Sequence, residues 1–132
     1  MGTTVSEMLA AAHKVVKRMD YEDAVAMIRD ENAVLLDVRD GPEVEKSGLA
    51  AGAIHVSRGM LEFRADAATP FHHKSLETSR PVLIYCASGG RAALAGKLLL
   101  DMGYERVFNL GGLKDWADAG GEVITPLEPG MG

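Results

Sequence analysis

The chain has 132 residues, a length typical of one domain, and its 47% hydrophobic and 25% charged residues are ordinary for a globular protein. The net charge of −5 argues against a nucleic-acid partner, because phosphate binding requires a basic surface. No apolar run is long enough to cross a bilayer, so we expect no membrane partner. The one cysteine, Cys86, cannot form an internal disulfide, and a lone thiol is typical of a reducing compartment, which predicts a cytoplasmic protein.

The first half of the chain predicts two helices followed by two strands. Residues 6–17 carry apolar side chains at helical spacing with Ser6 as the N-cap, and Asp20 is the N-cap of a second helix. Residues 33–40 begin as an apolar run and end in charges, which is typical of a strand buried on both faces. Residues 52–56 predict a second strand, and the segment between the two strands is too short and mixed to assign.

The second half alternates strands and helices after a polar stretch. Residues 57–80 predict a helical piece around 60–65 within a long loop. The elements after it are a strand at 81–86, a helix at 91–102 ended by Gly103, a strand at 106–110, a turn at Gly111 and Gly112, and a helix at 113–120.

Short apolar strands that alternate with helices predict an α/β fold with a parallel sheet covered on both faces. We divide the chain into an N-terminal helical extension at 1–19, one α/β domain at 20–124 and a flexible tail at 125–132. In such sheets, ligands bind at the carboxyl ends of the strands. The strands that end near Asp37 and Cys86 place reactive side chains at that edge.

The stretch that follows Cys86 has the composition of an anion-binding loop. Two adjacent glycines permit a tight curl, and the N–H groups of a curled loop and of the next helix face inward. These donors favour a thiolate over a thiol, and an arginine adds a fixed positive charge. We therefore predict that Cys86 is a nucleophile; a buried structural cysteine is the alternative. The predicted substrate-binding loop consists of Ala87, Ser88, Gly89, Gly90 and Arg91.

Four separated motifs resemble those of single-domain rhodanese-like sulfurtransferases. In chain order they are "LLDVRD", "GAIHVSRGMLEFRA", "LIYCASGGRAALAGKLLLDMGY" and "LGGLKDWADAGG". The resemblance implies a three-layer fold, in which helices flank a central, mostly parallel five-stranded sheet. It also implies that Cys86 takes a sulfane sulfur from thiosulfate, a persulfide or a polysulfide, holds it as a persulfide, and passes it to a thiol or cyanide without a cofactor.

Two other functions compete with sulfur transfer. The first is a non-catalytic binding or redox-sensing module that uses the same pocket. The second is a cysteine-dependent phosphatase or arsenate reductase, whose loop is similar; phosphatase loops are one residue longer than the four residues between Cys86 and Arg91. Several thiosulfate-using relatives carry basic side chains after the cysteine, where this chain has Ala87 and Ser88, so we expect thiosulfate to be a poor donor.

Charged residues elsewhere in the motifs are candidates for the pocket rim. Asp37 and Arg39 either orient the loop or form a buried ion pair that ties a strand to its neighbours. Arg58 and Arg64 either attract an anionic donor or are ordinary surface arginines. We predict no metal site. The adjacent histidines His72 and His73 point apart on most backbones, and no cluster of cysteines or carboxylates lies at ligand spacing from them.

Overall fold

The computed structural model describes residues 2–125, which form six helices and seven strands. The helices are α1 (Val5–Val15), α2 (Tyr21–Glu31), α3 (Gly41–Ser47), α4 (Leu61–Ala65), α5 (Gly90–Asp101) and α6 (Leu113–Asp118), with a 3-10 turn at Arg58–Met60 before α4. The strands are β1 (Lys17–Arg18), β2 (Val34–Asp37), β3 (Leu49–Ala50), β4 (Ile54–His55), β5 (Val82–Cys86), β6 (Val107–Gly112) and β7 (Val123–Ile124). The predicted tail lies outside the described residues from 126 onward.

A five-stranded sheet in the order β1-β6-β5-β2-β4 forms the centre of the protein, and every neighbouring pair of strands is parallel. This confirms the predicted five-stranded α/β fold. A separate antiparallel pair, β3 with β7, joins the middle of the chain to its end. None of the helices within residues 2–125 is long and apolar enough to cross a membrane.

Helices cover both faces of the sheet. On one face, α4 and α5 pack over a core that includes Leu36 and Ile84. On the other face, α2 and α6 pack over Leu35 and Leu83, with Trp116 in the same core. Successive strand residues point to opposite faces, so every residue of β2 and β5 is buried. For this reason their sequences are apolar runs rather than alternating patterns.

The helix starts follow from local capping. Thr4 caps α1, two residues before the predicted Ser6, and its side chain and backbone exchange hydrogen bonds with Glu7 in a capping box. Asp20 caps α2 as predicted, accepting a hydrogen bond from the N–H of Asp23 at 2.9 Å. The segment between the first two predicted strands, which had no assignment from the sequence, forms α3 (Gly41–Ser47), and this helix begins after Asp40.

Candidate active site

Cys86 is the last residue of β5, at the carboxyl edge of the sheet. Its Sγ accepts hydrogen bonds from the backbone N–H of Gly89 at 3.0 Å and from that of Ala92 at 3.4 Å. Both amides lie at the start of α5, where N–H groups have no partner within the helix. Cys86 is 1% exposed, so the two amides act on a sulfur that is shielded from bulk water. Their electrostatic effect is stronger in these surroundings than it would be in water. Ala92 lies one residue beyond the predicted loop.

The shape of the loop depends on Gly89 and on a buried asparagine. Gly89 has a φ of +105°, which residues with a side chain rarely adopt. The Nδ2 of Asn109 donates to the Gly89 carbonyl at 3.0 Å, and its Oδ1 accepts from the N–H of Gly111 at 2.8 Å. Asn109 is 1% exposed and lies on β6. The strand next to β5 therefore holds in place the loop whose backbone amides donate hydrogen bonds to the Cys86 sulfur.

The predicted turn at Gly111 and Gly112 is wrong, because β6 continues through both residues and α6 follows directly. Gly111 pairs with Tyr85 and Gly112 pairs with Cys86. A Cβ on Gly112 would overlap the carbonyl oxygen of Ala87. Gly112 therefore allows close contact between the sheet and the cysteine loop.

A guanidinium from β1 lies beside the same loop. A Cβ on Gly111 would be 2.7 Å from Nη2 of Arg18 and 2.5 Å from Oδ2 of Asp115, and a Cβ on Gly89 would be 3.2 Å from Nη1 of Arg18. Arg18 is therefore packed against the backbone of both glycines, next to the Asp115 carboxylate. Sequence analysis missed Arg18, because a strand of two residues has no periodicity to detect.

Arg91, in the first turn of α5, forms a bidentate ion pair with Glu43 of α3. The Nη1–Oε2 distance is 2.7 Å and the Nη2–Oε1 distance is 2.8 Å. Glu43 also accepts the N–H of Asp40 at 2.9 Å. The Arg91 guanidinium and this amide lower the pKa of Glu43 to about 2, and the ion pair raises the pKa of Arg91, with a smaller contribution from nearby Cys86. The cation predicted for the loop thus has a carboxylate as its direct partner.

Asp37 and Arg39 form a buried ion pair, with an Nη2–Oδ2 distance of 2.8 Å. Arg39 is 3% exposed and also donates to the carbonyl of Gly48 at 2.6 Å. Its guanidinium lies 5.7 Å from the centre of the Tyr85 ring, and burial together with a hydrogen bond to Asp37 raises the pKa of that tyrosine. Arg39 also lines a cleft of about 470 Å³ that reaches Ala87 of the loop. The pair therefore holds β2 to its neighbours behind one wall of this cleft.

Residues 20–119 match the family described as Rhodanese-like domain. The chain belongs to the rhodanese-like family. It is 30% identical over 114 residues to a sulfurtransferase of Allochromatium vinosum, an alignment that covers 85% of this chain and 98% of that protein.

Two solved structures are similar to this chain over most of its length. A protein of unknown function from Rhodopseudomonas palustris, described as a possible tyrosine phosphatase, is 33% identical with a TM-score of 0.84, covering 94% of this chain and 96% of that one. The homodimeric polysulfide-sulfur transferase of Wolinella succinogenes is 30% identical with a TM-score of 0.71, covering 92% and 88%.

Arg58 and Arg64, the other two residues predicted for the pocket rim of this rhodanese-like domain, contact residues outside the cysteine loop. Arg58 pairs with Glu62 at 3.0 Å and lines a groove with Met8 and Leu98, between α1 and α5. The carbonyl of Arg64 accepts the N–H of His73. A rim role for Arg58 and Arg64 stays a prediction. Within residues 2–125, no three histidine, cysteine or acidic side chains lie close enough to hold a metal ion.

Glu43 and Asn109 were not singled out from the sequence, although each left a signal there. Asn109 is a polar residue within an otherwise apolar strand, a position where a side chain must have hydrogen-bond partners. Glu43 follows Asp40 at the spacing of a capping box, which marks the start of a helix. Neither signal identifies the partner across the fold, since Gly89 and Arg91 are distant in sequence.

Proposed function

We propose that the protein is a sulfurtransferase that carries a sulfane sulfur on Cys86 as a persulfide. The donor is thiosulfate, an organic persulfide or a polysulfide, and the acceptor is a thiol or cyanide. The main support is the pair of backbone amides, from Gly89 and Ala92, that face the Cys86 sulfur. A structural cysteine has no need of such donors.

In the first step, the Cys86 thiolate attacks the outer sulfur of the donor. A new S–S bond forms at Sγ, and the donor's S–S bond breaks with its electron pair on the leaving group, which is sulfite when thiosulfate is the donor. The enzyme persulfide is itself an anion. The amides of Gly89 and Ala92 favour this charge without having to reorganise, which is electrostatic preorganisation.

In the second step, the acceptor attacks the outer persulfide sulfur and Cys86 leaves as a thiolate. The chain has one cysteine, so no internal thiol can displace the sulfur by forming a disulfide. The sulfur must therefore pass to an external acceptor. We place this reaction in the cytoplasm, since a lone thiol is suited to a reducing compartment.

A phosphatase is the second candidate, because the Rhodopseudomonas palustris neighbour is described as a possible tyrosine phosphatase. The loop here has four residues between Cys86 and Arg91. A shorter ring of donors suits one sulfur atom better than a phosphoryl group with three equatorial oxygens. Arsenate reduction and non-catalytic binding remain as outcomes of the test below.

The test is a panel of reactions with the purified protein. We expect thiocyanate to form from cyanide with thiosulfate or polysulfide as donor, with the ping-pong kinetics of a covalent intermediate. The Cys86→Ser variant should fall to the uncatalysed rate while unfolding at the same urea concentration as the parent. Hydrolysis of an aryl phosphate or reduction of arsenate without thiocyanate formation would replace sulfur transfer by the second candidate. No turnover in any arm would leave a binding module.

A further inference from the structure

Three of the four cations around the cysteine loop form an ion pair with a carboxylate. Arg39 pairs with Asp37, Arg91 pairs with Glu43, and Lys114, at the cleft that reaches Ala87, pairs with Asp118. The fourth cation, Arg18, packs against the backbone of Gly111, which the Asp115 carboxylate also approaches. The two exposed loop residues, Ala87 and Ser88, carry no charge. Most of the positive charge around the loop is thus compensated by carboxylates, whereas an enzyme that binds a dianion usually presents uncompensated positive charge.

Glu43 is the carboxylate most directly tied to the loop. Its two oxygens take both terminal nitrogens of Arg91, and the N–H of Asp40 holds the carboxylate from its own helix start. Arg91 is adjacent to Ala92, whose amide faces the Cys86 sulfur. The pair is about one-third exposed, so an incoming anion meets it in partly screened surroundings.

We propose that Glu43 is a specificity-determining residue, which neutralises Arg91 and so directs the enzyme to sulfur donors that carry a single negative charge rather than two. This inference rests on the proposed function, since it concerns the donor of that reaction. A dianionic donor is repelled by Glu43 about twice as strongly as a monoanionic one at the same distance, because the Coulomb energy is proportional to charge.

Two sulfur donors that react through the same kind of S–S bond but differ in net charge allow the effect of donor charge to be measured. Thiosulfate is a dianion, and methanethiosulfonate replaces one of its charged oxygens with a methyl group. With either donor, Sγ of Cys86 bonds to the outer sulfur, and the broken S–S bond leaves its electron pair on sulfite or on methanesulfinate. The enzyme persulfide anion is the same in both cases, and cyanide then removes the sulfur as thiocyanate.

The experiment compares kcat/KM for the two donors in the parent, Glu43→Gln and Glu43→Asp. In Glu43→Gln we expect kcat/KM to rise about tenfold for thiosulfate and about threefold for methanethiosulfonate, as for removal of one unit charge near the bound anion. Glu43→Asp keeps the charge and should keep the parent's preference. Glu31→Gln is the matched control, because Glu31 pairs with Arg106 at 2.5 Å with similar exposure, before the start of β6 and far from its carboxyl end.

The possible results distinguish a failure of the proposed function from a failure of the inference about Glu43. If the parent yields thiocyanate with neither of these donors nor with polysulfide, the proposed function fails. If only polysulfide yields thiocyanate, the proposed function stands and the inference about Glu43 is overturned. If the parent is active and Glu43→Gln shows the parent's ratio of the two kcat/KM values, Glu43 does not select charge and the inference is overturned. An equal fall for both donors in Glu43→Gln would assign Glu43 only to holding the loop, which also overturns the inference.

Discussion

At the scale of single residues, the carboxylate of Glu43 connects α3 to the start of α5. Its pKa falls from the usual 4.5 to about 2, first through the hydrogen bonds from Arg91 and then through the N–H of Asp40. A carboxyl group whose pKa is depressed in the folded protein stabilises the fold above its unfolded pKa. That stability is lost as the pH falls through the folded value.

We therefore expect Glu43→Gln to lower the free energy of unfolding at pH 7 by about 0.2–1 kcal/mol, the range for solvent-exposed ion pairs. The difference from the parent should shrink as the pH falls from about 4.5 towards 2, because Glu43 of the parent becomes protonated first in the unfolded and then in the folded protein. Urea unfolding at a series of pH values measures it. A difference that stays constant down to pH 2 would contradict the assigned pairing.

Of the loop predicted from the sequence, Gly89 donates its N–H to the Cys86 sulfur, as does Ala92 one residue beyond the loop. A substrate-binding role for Ala87, Ser88, Gly90 and Arg91 stays a prediction. The sequence did not predict the partners that come from elsewhere, namely Asn109, Glu43 and Arg18, because pairing across a fold depends on topology. Asp37 and Arg39 had two interpretations from the sequence, and the buried ion pair is the one observed. Burial decided between them, and burial depends on which helices cover the strand.

At the scale of elements, the end of β6 shapes the cysteine loop through close backbone contact. Gly111 has a φ of +89°, and a Cβ there would lie within 2.8 Å of Arg18 and Asp115 atoms. The sequence interpretation assigned a turn because paired glycines are typical of turns. It could not distinguish a turn from a strand whose glycines make room for another segment.

Gly111→Ala should lower the free energy of unfolding by more than about 1–3 kcal/mol, the cost of positive φ alone, because steric overlap adds to it. Gly103→Ala is the matched control: its φ is +96° and nothing lies within 4 Å of the added methyl group. Urea unfolding and the rate of thiocyanate formation measure both. We expect only Gly111→Ala to slow sulfur transfer in the folded protein. Equal effects of the two substitutions would contradict the close contact at β6.

At the scale of the whole molecule, the parallel sheet brings together the candidate active site from distant segments. β5 supplies Cys86, β6 braces its loop, α3 neutralises Arg91, and β1 adds a guanidinium. The family match begins at residue 20, whereas α1 packs on α5 and β1 pairs with β6. We propose that residues 1–19 form an extension added to the family domain at 20–124.

Apolar strand runs alternating with helices were enough to predict the layers, because periodicity reports burial directly. The two-residue strands β1, β3 and β7 could not be predicted, since their pairing is set by the surrounding fold and not by their own composition.

The central claim is that Cys86 holds a transferable sulfur, and intact-protein mass spectrometry tests it directly. After incubation with sodium tetrasulfide and removal of excess reagent, we expect each chain to gain the mass of one sulfur atom and to lose it on addition of cyanide. Cys86→Ser should gain nothing. A parent protein that gains no sulfur, or a Cys86→Ser variant that gains as much, would contradict the account.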